Sequence, residues 1–131
     1  MYYIRMKNDD GIYLVKECAD SSKTDFMLLW EFLMCDVGIN ASKFKPSLER
    51  VFSGEDDGFG TNELDVDRVD KETVKFTYGY GDIEDDESGL FLKKDQLYYL
   101  MDEWARLVKA HVNEITISYD DTNDTYTISG K

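Results

Sequence analysis

One proline, one histidine and two cysteines are all that 131 residues supply of those types. Cys18 and Cys35 lie far outside any metal-ligand spacing, which excludes a zinc-ribbon type of site. In a reducing compartment they read as buried thiols rather than a disulfide. The lone His111 falls near the end of a helical pattern, where the dipole favours a cation, so it reads as a structural or surface residue and not as a catalytic base. No serine sits in a nucleophile-elbow setting, and no glycine loop with a lysine is present to cradle phosphate. No apolar run reaches the length of a signal peptide or a membrane span. The chain is therefore expected to be a cytoplasmic protein, not an enzyme, with no cofactor.

Base is scarce where acid is dense. Residues 51–89 carry thirteen acids and three bases, against eight and seven in residues 1–50 and seven and five in residues 90–131. Most of the net charge of −13 thus belongs to the middle third. Charge pooled in one segment makes a directional field that repels polyanions and attracts cations. Nucleic acid and anionic membrane are excluded as expected partners, and a basic protein surface is the complement. The stretch "GYGDIEDDESG", residues 79–89, is the densest: Asp82, Glu84, Asp85, Asp86 and Glu87 with no Lys or Arg among them. A metal site, a solvated connector and a surface for a cationic partner all fit such a run.

Apolar residues make up 42% and aromatics 14%, too rich for a disordered chain of this charge, so one folded domain over residues 1–131 is expected. "YYIRMK" alternates with the period of a strand. Asp10-Gly11 is a hairpin turn signal, and "IYLVKEC" returns with Ile12 and Leu14 on one face, giving a hairpin over residues 2–18. Phe26, Leu29, Trp30, Leu33, Met34 and Val37 form a helical stripe that Leu28 and Phe32 widen. Ser21, Ser22 or Thr24 is the expected cap, and Gly38 the residue past the end. Pro46 opens a short helix through "SLERVF". "SGEDDGFG" reads as a loop. "ELDVDRVD" and "ETVKFTYGY" read as antiparallel strands that put Glu63, Asp65 and Asp67 on a solvent face.

"LFLKK" reads as a short strand, and Leu97, Leu100, Met101, Trp104, Leu107 and Val108 mark an amphipathic helix that Asp95 opens. "EITISYDDTNDTYTIS" closes the chain as a hairpin. The order ββα(α)ββ(β)αββ describes an α+β fold, an antiparallel sheet packed with two main amphipathic helices.

Calcium is the first rival reading of the acids. An EF-hand loop needs oxygen ligands at positions 1, 3 and 5, Gly at 6 and Glu at 12. Starting at Ser53 supplies Glu55, Asp57 and Gly58, but puts Leu64 at position 12. Starting at Asp82 puts Glu87 where Gly belongs, and starting at Asp120 puts Thr125 there. No metal site is expected, and weak divalent binding stands as an alternative. The interface reading draws on a second feature: aromatic anchors rimmed by acids are what protein interfaces use. Its expected residues are Glu55, Asp56, Asp57, Asp82, Glu84, Asp85, Asp86 and Glu87 as the charged patch, with Phe59, Tyr78 and Tyr80 as anchors.

The opening "MYYIRMKNDDGIYLVKE" hairpin and the late "KKDQLYYLMDEWARLV" helix running into "NEITISYDDTNDTYTI", in a short acidic α+β chain, resemble bacterial immunity proteins. These protect a cell from its own polymorphic or contact-dependent growth inhibition toxin. The resemblance is one of type and transfers no residue roles. It implies a monomer that binds and neutralises a cognate basic toxin, frequently a nuclease. The alternatives are a type III secretion-type chaperone, which would dimerise, and a DNA-mimic inhibitor, which would bind many nucleic-acid proteins.

Overall fold

Asp10 and Gly11 both take positive φ, 55° and 90°, the two-residue turn that matches the twist of the strands it joins. From that turn β1 (Tyr2–Asp9) and β2 (Ile12–Ala19) run antiparallel. The computed structural model describes residues 2–20, 24–38, 41–61, 64–78 and 89–131. Among these, the chain continues through α1 (Phe26–Trp30), which widens into π-type turns over Glu31–Val37, and α2 (Ala41–Ser53). Then come β3 (Gly58–Gly60), β4 (Leu64–Asp70), β5 (Thr73–Tyr78), β6 (Leu90–Lys93), α3 (Lys94–Lys109), β7 (Glu114–Asp120) and β8 (Thr125–Gly130). The fold is α+β. In place of a single sheet, the described strands form two antiparallel four-stranded sheets, ordered β2-β1-β7-β8 and β3-β4-β5-β6.

One contiguous core joins both sheets to the helices. Phe32 meets Phe44 of α2 and Phe76 of β5, with ring centroids 5.7 and 4.8 Å apart, and so ties the helical layer to the second sheet. Trp104 of α3 meets Tyr13 of β2 edge-to-face at 5.7 Å and ties α3 to the first. The apolar stripes of the first and last helical segments face the core as their spacing predicts, with Trp30, Met34 and Val108 partly buried at its margin.

Several local expectations are revised. Ile12 and Leu14 do share a face, but it is the solvent face, at 51% and 37% exposure. Tyr13 points inward instead, where its ring packs on Trp104 and its hydroxyl donates to the Val112 carbonyl at 2.6 Å. The cap of α1 is Asp25, whose carboxylate accepts from the Met27 and Leu28 N–H groups. Thr24 is buried, and Ser21 and Ser22 lie outside the described residues. Pro46 lies inside α2, not at its start. The helix begins at Ala41 because Ala41 is buried and Phe44 packs on Phe32, and this tertiary anchoring outweighs the hydrogen bond that Pro46 cannot donate. "GFG", read as loop, forms β3.

Cys18 and Cys35 are exposed rather than buried, and they form no disulfide. Partial burial of its sulfur, with Asp20 and Asp25 nearby, pushes the Cys18 thiol up to about 11. Thiolate is the nucleophile, so alkylation by iodoacetamide at pH 8 is expected to be at least roughly tenfold slower at Cys18 than in an unfolded peptide of the same sequence. Peptide mass spectrometry over a time course measures this, and equal rates would show that the fold does not hold the thiol protonated.

Candidate functional site

Alternation along β4 buries Leu64 and Val66 in the core and turns Asp65 and Asp67 to the outer face of the second sheet. Across the sheet, Gly58, Asp67, Lys75 and Phe91 form one row, and Gly60, Asp65 and Thr77 the next. Lys75 lies 5.5 Å from the Phe91 ring centroid. Burial holds the Asp67 carboxyl above its ordinary range, and neighbouring Asp65 adds to that, while Lys75 opposes it. Ionising Asp67 on this face therefore carries a cost, the condition under which an incoming cation gains most.

The turn from α2 into β3 adds Glu55, Asp56 and Asp57, all exposed. Gly54, at φ 87°, lets α2 end there, and the Asp56 N–H donates back to the Arg50 carbonyl at 3.0 Å. Asp56 also pairs with Arg50 Nε at 3.1 Å, an exposed pair worth little to stability. Asp57 begins the β3 ladder by accepting from the Arg68 N–H at 2.7 Å. The turn that carries Glu55, Asp56 and Asp57 thus leads directly into the strand whose Gly58 and Gly60 lie opposite Asp67 and Asp65, residues that the expected patch did not include. The signal in the sequence was the alternation of "ELDVDRVD" next to "SGEDDG"; what placed them together is the β3–β4 pairing.

Phe59 and Tyr78, expected as anchors, pair with Val66 and Leu64, on the inner side of the sheet, and pack partly buried against the core. Glu63, Tyr80, Asp82, Glu84, Asp85, Asp86 and Glu87 lie outside the described residues.

Pairing of charge differs between the segments. Outside residues 51–89, Glu17 and Glu114 pair with Arg5, Asp102 with Lys45, Asp124 with Lys93, Glu49 with Lys94 and Glu103 with Arg106. Within residues 51–89, Asp56 is the single acid so paired among the described residues. Glu55, Asp57, Asp65 and Asp67 hold none there.

Among the described residues no group of three or more His, Cys, Asp or Glu side chains is placed to hold a metal ion, and no helix is long and apolar enough to cross a membrane. The cleft at the start of α3, about 280 Å³, is lined by Glu72, Lys93 and Asp124 among others, and there Lys93 Nζ pairs with Asp124 at 2.6 Å. No protein family, curated protein or solved structure matches this chain.

Proposed function

We propose that this protein is an immunity-type inhibitor that captures a basic toxin domain on the acidic outer side of its second sheet and thereby protects the cell that makes it. The observation that supports this reading is the unequal pairing of charge: Glu55 and Asp57 on the turn into β3, and Asp65 and Asp67 on β4, have no ion-pair partner among the described residues, whereas Glu17, Glu49, Asp102, Glu103, Glu114 and Asp124 each hold a Lys or Arg. Unpaired carboxylates keep their field projecting into solvent, where it accelerates encounter with a cationic partner. A domain that acts on phosphates must itself present Lys and Arg, so an acidic inhibitor competes for the same surface.

The test is the quadruple variant Glu55→Gln, Asp57→Asn, Asp65→Asn, Asp67→Asn, measured against the basic toxin domain encoded beside this protein's gene. Association is expected to slow at least roughly tenfold at low salt, and its dependence on ionic strength to flatten. The same variant is expected to melt no lower than wild type, because the raised Asp67 pKa means that ionising this carboxylate opposes folding near neutral pH. An unchanged association rate with unchanged salt response would remove this surface. Absence of any complex, with no protection of growth, would remove the toxin-binding reading itself.

A further inference from the structure

Each sheet ends in two edge strands, and every edge carries backbone N–H and C=O groups with no described strand to pair with. Three of the four edges are covered in part by the chain's own side chains. On β2, the Tyr13 carbonyl accepts from Trp30 Nε1 at 2.8 Å, and the Tyr13 N–H meets Met34 Sδ at 3.4 Å. On β8, the Ile128 N–H donates to the Tyr99 hydroxyl at 3.3 Å. On β6, the Lys93 N–H donates to Gln96 Oε1 at 3.0 Å.

β3 is treated differently. The bonds from the Arg68 N–H to the Asp57 carbonyl, 2.7 Å, and from the Thr61 N–H to the Leu64 carbonyl, 2.8 Å, set the phase of its ladder. In that phase Phe59 bonds to β4, while Gly58 and Gly60 turn both their N–H and their C=O groups to the open edge. No described residue bonds to those four groups. The outward positions of this strand are also bare. A Cβ at Gly58 would overlap the Val66 carbonyl and lie 2.9 Å from Asp67 Oδ1, and one at Gly60 would lie 3.4 Å from Asp65 Oδ1. The two carboxylates therefore lie close against the backbone of the two glycines.

The geometry points to β3 as a docking edge for an extended cationic segment of the partner. That segment adds a strand beside Gly58–Gly60 and lays Lys or Arg side chains across the two glycines onto Asp67 and Asp65. Alternate residues of a strand stand about 6.8 Å apart, which is the spacing of Asp65 and Asp67 along β4, so one register satisfies both. The added strand lies about 4.8 Å beyond β3, within the reach of a Lys or Arg stem once no side chain stands between. Backbone pairing then supplies affinity and the flanking charge supplies selection. A second copy of this strand is disfavoured, because it would bring its own Glu55 and Asp57 against like charge. The inference rests on the proposed function for the partner's positive charge; the place of docking comes from the edge itself.

The test uses the full isotope-labelled chain and a blocked ten-residue peptide alternating Lys and Thr. Binding is expected to shift the Gly58 and Gly60 amide resonances and to slow their hydrogen exchange at least roughly tenfold. The same peptide N-methylated at alternate residues keeps its charge and loses its donors, and should bind roughly tenfold or more weakly. Gly60→Pro, which deletes the edge N–H at a position an edge strand tolerates, should weaken the unmodified peptide similarly without lowering Tm. Equal affinity for the methylated peptide, or binding with unchanged exchange at Gly58 and Gly60, would overturn strand addition while leaving the acidic surface standing. No binding of either peptide would overturn both.

Discussion

Phe32→Ala is expected to remove about 3–5 kcal/mol of folding stability and to lower Tm by roughly 10–20 °C. Phe32 is wholly buried and touches aromatic rings of α2 and β5. Truncation leaves a cavity between elements that helix and sheet geometry prevent from closing on it, and loses the ring contacts besides. Phe32 contacts the second sheet, yet the core is contiguous, so both sheets should lose stability together. Hydrogen exchange at Val66 and Ile117 reads one sheet each. Equal losses of protection would mark one cooperative unit, and loss at Val66 alone would divide the chain into two.

Trp104→Ala is expected to cost a similar ~3–5 kcal/mol, and Trp104→Phe much less, about 1 kcal/mol. Trp104 is wholly buried, and its Nε1 has no hydrogen-bond partner among the described residues. A buried donor left unsatisfied carries a desolvation cost of ~1–3 kcal/mol, which Phe removes along with the second ring. Chemical denaturation of the two variants measures the difference. A Phe substitution as damaging as Ala would mean that the indole N–H stabilises the fold, for instance against the face of the Tyr13 ring 5.7 Å away.

Both residues were legible as core from their helical spacing, since periodicity reports a face and a face this apolar must be covered. The strand faces were legible where alternation was strong, as in Leu64 and Val66 against Asp65 and Asp67. The candidate site was legible only in part. Charge in residues 51–89 announced a directional field, but its described members form a surface because β3 pairs with β4, and "GFG" has neither the branching nor the bulk that marks a strand. Gly58 is needed there by close approach to the Val66 carbonyl, a constraint set by a residue eight positions on. Phe59 and Tyr78 read as exposed anchors beside acids, and strand register places both on the inner side.

Local chemistry by itself determined the Asp10-Gly11 turn, the apolar stripes of α1 and α3, the closing hairpin and the concentration of acid in one segment, because each depends on residues a few positions apart. Only the tertiary structure decided that the described strands form two sheets, that β1 pairs with β7 across most of the chain, that a helix runs through Pro46, and that one edge has no described partner beside two carboxylates. Those outcomes turn on which distant surfaces bury most apolar area together, and no window of sequence contains both partners.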